Sequence, residues 1–318
     1  MGYTIRRAVF FVALLSLMTL WGCGSDDDEY VTVDFSDTVE VEEEQPGYSD
    51  RPRLRAAVGA MISPRETFES YREILVYLSR EMDMDLEFVQ RKTYEEVNEL
   101  LGKNEIDLAF ICSGPFVRGR EKHGFKLLAA PVVDGSRHYY SYLIVHENSP
   151  YESLEDLQGK TFAFTDPDSN TGRMVPLYWL HEMGFEPEEY FEDIIYTYSH
   201  DNSILAVSKN LVDGAAVDHL IWDYFHKSGS EITENTRVIK KSRPFGIPPI
   251  VASPGISQDK AQRLKEVLLS MHQDDKGKEI LSSLMIEKFV AAEEHWYDSI
   301  RDIYGTLKTC EDQDAAKP

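Results

Sequence analysis

The sequence predicts an α/β protein of two lobes, and three observations carry that expectation. From Arg53 onward, short apolar runs alternate with amphipathic stretches of helical period, the rhythm of a parallel or mixed sheet covered by helices. The rhythm runs twice, once from Arg53 and again from near Ser149, with extended segments joining the two units. The chain has 318 residues, 42% apolar and 11% aromatic, enough for two core-forming domains.

The first unit opens with the strand-like run LRAAVGAM (54–61). In PRETFESYREILVYLSREM, residues Phe68, Tyr71, Leu75, Leu78 and Met82 fall three or four apart on one helical face. LEFVQ reads as a strand, YEEVNELLGK as a helix closed near Gly102, and IDLAFI as a buried strand. GPFVRGREKHG reads as a short helix with Pro115 in its first turn, where a missing N–H does no harm. Strands around KLLAAPVV and YYSYLIVHE complete the unit. In the second unit SPYESLEDLQGK gives a short helix and turn, TFAF a strand and GRMVPLYWLHEMGF a helix. Strand and helix alternate again in IIYTYS, HDNSILAVSKN, DGAAVD and HLIWDYFHKSG. TRVIKK is a strand, RPFGIPPIVAS is extended, and the chain after Ser257 is expected to be helical throughout. No Walker loop, GxGxxG after a strand, HExxH, CxxC or internal repeat occurs.

The N-terminus bears on location. MGYTIRRAVFFVALLSLMTLWGC carries Arg6 and Arg7 ahead of an apolar run of about a dozen residues, short of the ~20 a spanning helix needs and suited to a secretory signal. Leu20-Trp21-Gly22-Cys23 resembles a bacterial lipobox, which implies cleavage before Cys23 and diacylation of that cysteine; an ordinary signal peptide is the alternative. Residues 24–50 hold eleven Asp/Glu and no Lys or Arg, so about half of the formal charge of −23 lies in one segment. That segment lacks any amphipathic period and reads as an extended acidic tether, reaching at least roughly 30 Å. The acidic balance argues against a nucleic-acid partner, which needs a basic footprint. Cys112 and Cys310 are expected to be free, a disulfide between them being the alternative that the spacing does not require.

Ligand sites in open α/β sheets lie beyond the carboxyl ends of strands and between domains. After TFAF comes Thr165-Asp166-Pro167-Asp168-Ser169-Asn170-Thr171-Gly172 and then a helix. Helix N-termini bind anions through unpaired N–H groups, Ser169 and Thr171 add hydroxyls, and Gly172 lets backbone come close. The competing reading is ordinary N-capping. Ser113-Gly114 and Ser63 repeat the arrangement at two other strand ends, so together they suggest a small tetrahedral or carboxylate anion. His200 and Asp218 stand at further strand ends. The histidine is a donor, and the aspartate selects an anion that keeps a proton. Each is also an ordinary cap or turn residue, and His200, Asp218 and His219 lack further well-spaced ligands for a metal. Tyr94, Tyr139 and Tyr140 offer phenol donors or core and rim packing.

The order of these motifs resembles the phosphonate-binding-protein family, the periplasmic solute-binding components of phosphate, phosphite and phosphonate ABC transporters with the type II periplasmic-binding fold. The similarity spans roughly residues 53–290. It is most specific in YYSYLIVHENSPYESLEDLQGKTFAFTDPDSNTG, and NEIDLAFICSGPFV, YSHDNSILAV and VDGAAVD follow in the family's order. The resemblance implies that Ser169, Asn170 and Thr171 clasp phosphorus oxygens, with an amide at Asn170 replacing a hydroxyl. It implies that His200 faces the ligand, that Tyr94 and Tyr139 close over it, and that Asp218 stands at the second lobe's strand end. Leu220 and Pro248 occupy positions where relatives that bind aminoalkyl phosphonates carry acids, and Phe116 lies where a tyrosine is common. Both departures favour phosphite, phosphate or a simple alkylphosphonate.

The expected organisation is a signal peptide (1–22), a tether (23–52), lobe 1 (53–144 with 245–290), lobe 2 (145–244) and a C-terminal helix and tail (291–318). The hinge is expected near 140–146 and 244–252. The resemblance implies a monomeric, lipid-anchored, extracytoplasmic binding protein that closes on its anion, mainly through backbone N–H and hydroxyl donors, and delivers it to a permease. It implies neither cofactor nor catalysis. The alternatives are a sensor lipoprotein of the same fold and a hydrolase using His200 and Asp218.

Overall fold

The apolar runs of both units become sheets because each is buried on two faces. The computed structural model describes residues 51–315, apart from the side chains of 64–70 and of 310 onward. The signal segment, Cys23, the tether up to residue 50, the Cys310 side chain and the last three residues therefore lie outside the described residues.

The first sheet contains β1 (Arg53–Val58), β2 (Asp85–Val89), β3 (Leu108–Phe110), β4 (Lys126–Val132), β12 (Ile250–Ala252) and β13 (Lys288–Val290), in the order β13-β4-β12-β3-β1-β2. β1 is parallel to β2 and β3, whereas β12 is antiparallel to β3 and β4. Alternate side chains point to opposite faces. Leu54, Ala56, Val58, Leu108 and Phe110 therefore meet Ile74, Leu75 and Leu78 on one side. Ala57, Ala109 and Ile111 meet Val97, Leu101 and Phe116 on the other. Burying a Leu or Phe of this kind stabilises the fold by about 1.5–3 kcal/mol.

The second sheet has the order β10-β6-β9-β7-β8, from β6 (Ser141–His146), β7 (Thr161–Phe164), β8 (Asp193–Tyr196), β9 (Gly214–Asp218) and β10 (Thr236–Lys241). β7 is parallel to β8 and β9, and β6 is antiparallel to β9 and β10. The same alternation places Ala163, Ala215 and Val217 on one face and Phe162, Phe164 and Ala216 on the other.

Between the sheets the chain crosses twice. β5 (His138–Tyr139) pairs antiparallel with β11 (Phe245–Gly246), the first leading into β6 and the second into β12. Tyr139 and Phe245 meet edge to face, with ring centroids 6.4 Å apart.

Three parallel strands in each sheet send the chain into a helix from the same edge. In the first sheet these are α1 (Pro64–Glu81), α2 (Tyr94–Gly102) and α3 (Ser113–His123). In the second, β7 leads through a π-helical turn (Asn170–Met174) into α4 (Val175–Met183) and the short α5 (Pro187–Tyr190). β8 and β9 lead into α6 (His200–Ser208) and α7 (His219–Lys227), the latter followed by the short α8 (Glu231–Glu234).

Past Ser257 come α9 (Gln258–Ser270), α10 (Asp275–Ser283) and α11 (Asp298–Ala315). The expectation of an all-helical tail fails at β13, whose three residues pair antiparallel with β4 and bury Phe289. α5 and α8, at one turn each, carry too little periodicity to be expected. Near its start α11 is tied to α3: Tyr297 meets Phe116 edge to face at 4.6 Å, and Arg120 pairs with Glu294 at 2.9 Å. Ile300 and Ile303 join the core that also holds Trp179 and Leu180 of α4, so the C-terminal helix packs on helices of both units.

Candidate functional site

Six helix starts at the carboxyl ends of parallel strands bring most of the expected residues together. Thr171 lies beside Ser141, whose hydroxyl donates to the Thr171 carbonyl at 2.6 Å. Ser141 pairs across the sheet with Asp218. The Asp218 N–H donates to His200 Nδ1 at 3.0 Å. From the other unit, Tyr94 opens α2 and Tyr139 lies on the crossing strand, and both phenols stand within electrostatic range of Cys112 and Asp218. Asn170 Nδ2 donates to Tyr139 Oη at 2.9 Å, which stands 3.7 Å from Cys112 Sγ. No Lys or Arg stands among these residues.

The local folding of the 165–172 loop follows from its sequence. Asp166 accepts the Asp168 N–H at 2.8 Å, and Ser169 caps the helix by accepting the Gly172 N–H at 3.0 Å. The first turn is wide: Ser169 O accepts from both Arg173 and Met174 N–H, at 3.2 and 2.9 Å. Gly172 is needed because a Cβ there would be driven into the Thr165 side chain, rather than because a ligand approaches it. Gly114 is needed for a different reason. A Cβ on it would stand 2.5 Å from Asp168 O and 3.1 Å from Asn170 N, so α3 and this loop close to contact only without a side chain.

Four buried side-chain atoms of this cluster have no partner in the protein: Tyr94 Oη, Asn170 Oδ1, Thr171 Oγ1 and His200 Nε2. Tyr94 is 1% exposed, and Asn170, Thr171 and His200 are wholly buried. Burying a polar group unpaired costs about 1–3 kcal/mol each, so such a cluster marks a place built for something polar. The bond to Nδ1 fixes the histidine. Because Nδ1 accepts a backbone N–H, the proton of neutral His200 sits on Nε2, which therefore donates toward the unpaired end. Burial lowers the His200 pKa, against the nearby carboxylates of Asp218 and Asp201, so the imidazole is held neutral. Burial raises both phenols well above their ordinary range, keeping them donors. The buried, free Cys112 is pushed up to about 11 and stays a thiol.

The expected donors are backbone N–H and hydroxyl groups together, and the fold already engages some of the former. Several helix-start N–H groups are already engaged: Tyr94 by Asp166 (3.1 Å), Ser63 by Asp201 (2.9 Å), and His200 by the Met61 carbonyl (2.9 Å). His219 is engaged by the Tyr140 carbonyl (3.1 Å), and Leu220 by Asp218, which caps α7 (2.8 Å). Side-chain donors stand beside those N–H groups that remain. Ser113 is wholly buried but donates its hydroxyl to Gly246 O at 2.7 Å, pinning the crossing strand. The half-buried Ser63 forms no side-chain cap. Tyr140 stacks edge to face on His219 at 5.0 Å, away from the cluster, and Phe116 belongs to the core. His219 and Asp218 are 3.8 Å apart but form no ion pair, since His219 Nδ1 accepts the Tyr140 N–H at 3.1 Å.

Sequence reading missed the carboxylates that join the two units. Asp166 caps α2, Asp201 caps α1, and Asp168 pairs with Arg118 of α3. Their local signal is that of ordinary caps and turns, and their partners lie far away in sequence.

Two α/β units linked by paired crossing strands, with polar groups converging between facing helix starts, define a two-lobed solute-binding protein of the type II periplasmic-binding fold. The chain belongs to the family described as ABC transporter, phosphonate, periplasmic substrate-binding protein, whose model matches residues 57–297. It is 26% identical over 205 residues to a phosphonates-binding periplasmic protein of Escherichia coli, the match covering 63% of this chain and 60% of that one. It is 22% identical over 238 residues to a probable ABC transporter phosphite-binding protein, PhnD1, of Prochlorococcus marinus, covering 71% and 80%. Similar folds include a binding protein component of an ABC phosphonate transporter from Pseudomonas aeruginosa, at TM-score 0.76 and 21% identity over 80% of this chain and 86% of that one. Prochlorococcus marinus PhnD1, solved with methylphosphonate, matches at TM-score 0.74 and 20% identity over 80% and 98%.

Proposed function

We propose that this chain captures a small phosphorus oxyanion (phosphite, phosphate or a simple alkylphosphonate) between its lobes and hands it to an ABC permease. The observation that carries the reading is the set of unpartnered atoms on Tyr94, Asn170, Thr171 and His200, buried among residues without a positive side chain. Thr171 Oγ1, the Nε2–H of His200 and the Tyr94 phenol each donate to an anionic oxygen. Ser169, whose oxygen already accepts from Gly172, has its own proton to give. Asn170 presents either amide face, since turning it end for end lets it accept from Tyr139 and donate to the anion. Asp218 accepts a hydrogen bond from a protonated ligand oxygen, favouring a species that retains a P–OH over sulfate.

Lobe 1 (53–144 with 245–290) and lobe 2 (145–244) would then close by bending at the paired crossing strands, the hinge motion typical of such folds. A lipid on Cys23 and the acidic tether would hold a monomer at the extracytoplasmic face within reach of its permease. Isothermal titration calorimetry against phosphite, phosphate, methylphosphonate, aminoethylphosphonate and sulfate tests the reading. One or more phosphorus oxyanions should bind below about 100 µM, with sulfate at least tenfold weaker. Failure of all of them, or a preference for sulfate, overturns it.

A further inference from the structure

Beside the anion cradle lies a second space that the anion does not need. A cavity of about 270 Å³ runs between the two sheets, walled by Ile62, Tyr71, Phe110, Leu220, Pro248 and Phe289. It adjoins the cradle. Asp218 borders both, Met61 lines the cavity and accepts the His200 N–H through its carbonyl, and Ile111 precedes Cys112. A phosphorus oxyanion held by Thr171 and His200 would lie beside this chamber, which is mostly apolar and aromatic and is also bordered by Asp134, Asp223, Lys227 and Lys241. About 150 Å³ of apolar space is enough to hold a benzene ring.

The charges at the cavity do not ask for an ammonium group. Asp134 is paired with Lys227 at 2.6 Å, and the Lys241 ammonium lies 3.6 Å above the Tyr140 ring. Asp223 stands within electrostatic range of His219, Lys227 and Lys241, so a cationic tail would meet two ammonium groups as well as the carboxylate. Leu220 and Pro248 are hydrocarbon where a polar tail would seek partners.

We infer that the ligand is a phosphonate or phosphate monoester carrying an apolar group, aryl or branched alkyl, lodged in this cavity. The inference rests on the proposed anion-capture function and adds the class of its organic part. The fit has a simple physical basis: removing apolar surface from water drives the tail into the chamber in proportion to the area buried.

The test is calorimetry on the full chain with methyl-, butyl-, benzyl- and 4-aminobutylphosphonate and phenyl phosphate. Benzylphosphonate or phenyl phosphate should bind at least about tenfold tighter than methylphosphonate, the tighter of the two identifying a C–P or an O–P link. In Leu220→Trp, which fills the chamber, the ratio of methyl to benzyl dissociation constants should fall to about one, and reading a ratio removes any general effect of the variant. Methylphosphonate binding as tightly as every larger ligand, a ratio unmoved by the tryptophan, or aminobutyl binding tighter than butyl would each overturn the inference while leaving anion capture intact. No binding by any of the five would also overturn the inference, and the phosphite and phosphate titrations would then decide the anion-capture reading by themselves.

Discussion

Thr171→Val is the most direct test of the cradle. Thr171 is wholly buried, and its hydroxyl oxygen has no partner in the protein. Its backbone carbonyl, which accepts from Ser141, is unaffected by the change. Valine keeps the side chain's shape, so the substitution removes one hydroxyl and breaks no bond within the protein. A hydrogen bond to a charged group is worth about 1.5–3 kcal/mol. At 1.4 kcal/mol per tenfold, methylphosphonate should bind about 10- to 150-fold more weakly. The ligand-free protein should lose nothing, and it should gain slightly because an unpaired buried hydroxyl has gone. Calorimetry and ligand-free thermal melting, run together, separate the two effects. An affinity within about twofold of the wild type would show that Thr171 does not touch the anion. A lowered ligand-free melting temperature would show that its hydroxyl holds the fold instead.

Three further expectations follow from the geometry around it. Gly114→Ala sets a Cβ 2.5 Å from Asp168 O, so it should hold the lobes apart and weaken the anion at least about tenfold; small-angle scattering should show no ligand-induced compaction, and wild-type compaction would refute the reasoning. Asp166, raised by burial from 3.8 to about 6, binds its proton more tightly in the folded protein than in the unfolded chain. Its effect is therefore destabilising above pH 6 and is relieved as pH falls from about 6 toward 4, by at most ~3 kcal/mol. Asp166→Asn keeps one of the two oxygens that accept from Tyr94 and Asp168 and does not titrate, so whatever its overall stability its denaturant midpoints should lack that part of the pH slope; identical slopes in the two proteins would sink the assignment. Nitrogen-detected NMR of His200 should report a neutral Nε2–H imidazole from pH 8 down past the ordinary histidine range, and a titration at or above that range would be inconsistent with the bond from Asp218.

Local chemistry decided what was legible in the sequence. The 165–172 loop could be read because capping by Ser169 and the turn at Asp166 are encoded within a few residues. The strands could be read because sheets buried on both faces leave unbroken apolar runs such as LAF and GAAV. β13 could not, since Lys-Phe-Val has strand character only once β4, far earlier in the chain, pairs with it. The donors at Tyr94, Thr171 and His200 were visible as candidates. The occupancy of the helix starts was not, because each engaged N–H depends on a partner brought in by the fold. The absence of a side chain at Gly114 matters only against the Asp168 loop, a contact of the same non-local kind.

The same occupancy explains how a strongly acidic chain would hold an anion. Asp201 and Asp166, reaching from the second unit, already take the first N–H groups of α1 and α2, so these helix ends are neutralised by the protein's own carboxylates. Those contacts also join the two units, which means that closure does not wait on the ligand for all of its favourable terms. An incoming oxyanion then meets neutral donors that stay protonated across the physiological range: two phenols raised by burial, a threonine hydroxyl and an imidazole fixed as Nε2–H. Such a site discriminates by the direction and number of its donors rather than by net charge. Its affinity should therefore fall only weakly with salt, because no counterion-covered basic patch has to be uncovered. A steep loss of methylphosphonate affinity between 50 and about 500 mM NaCl would mean that a cationic side chain, absent from this cluster, supplies the attraction.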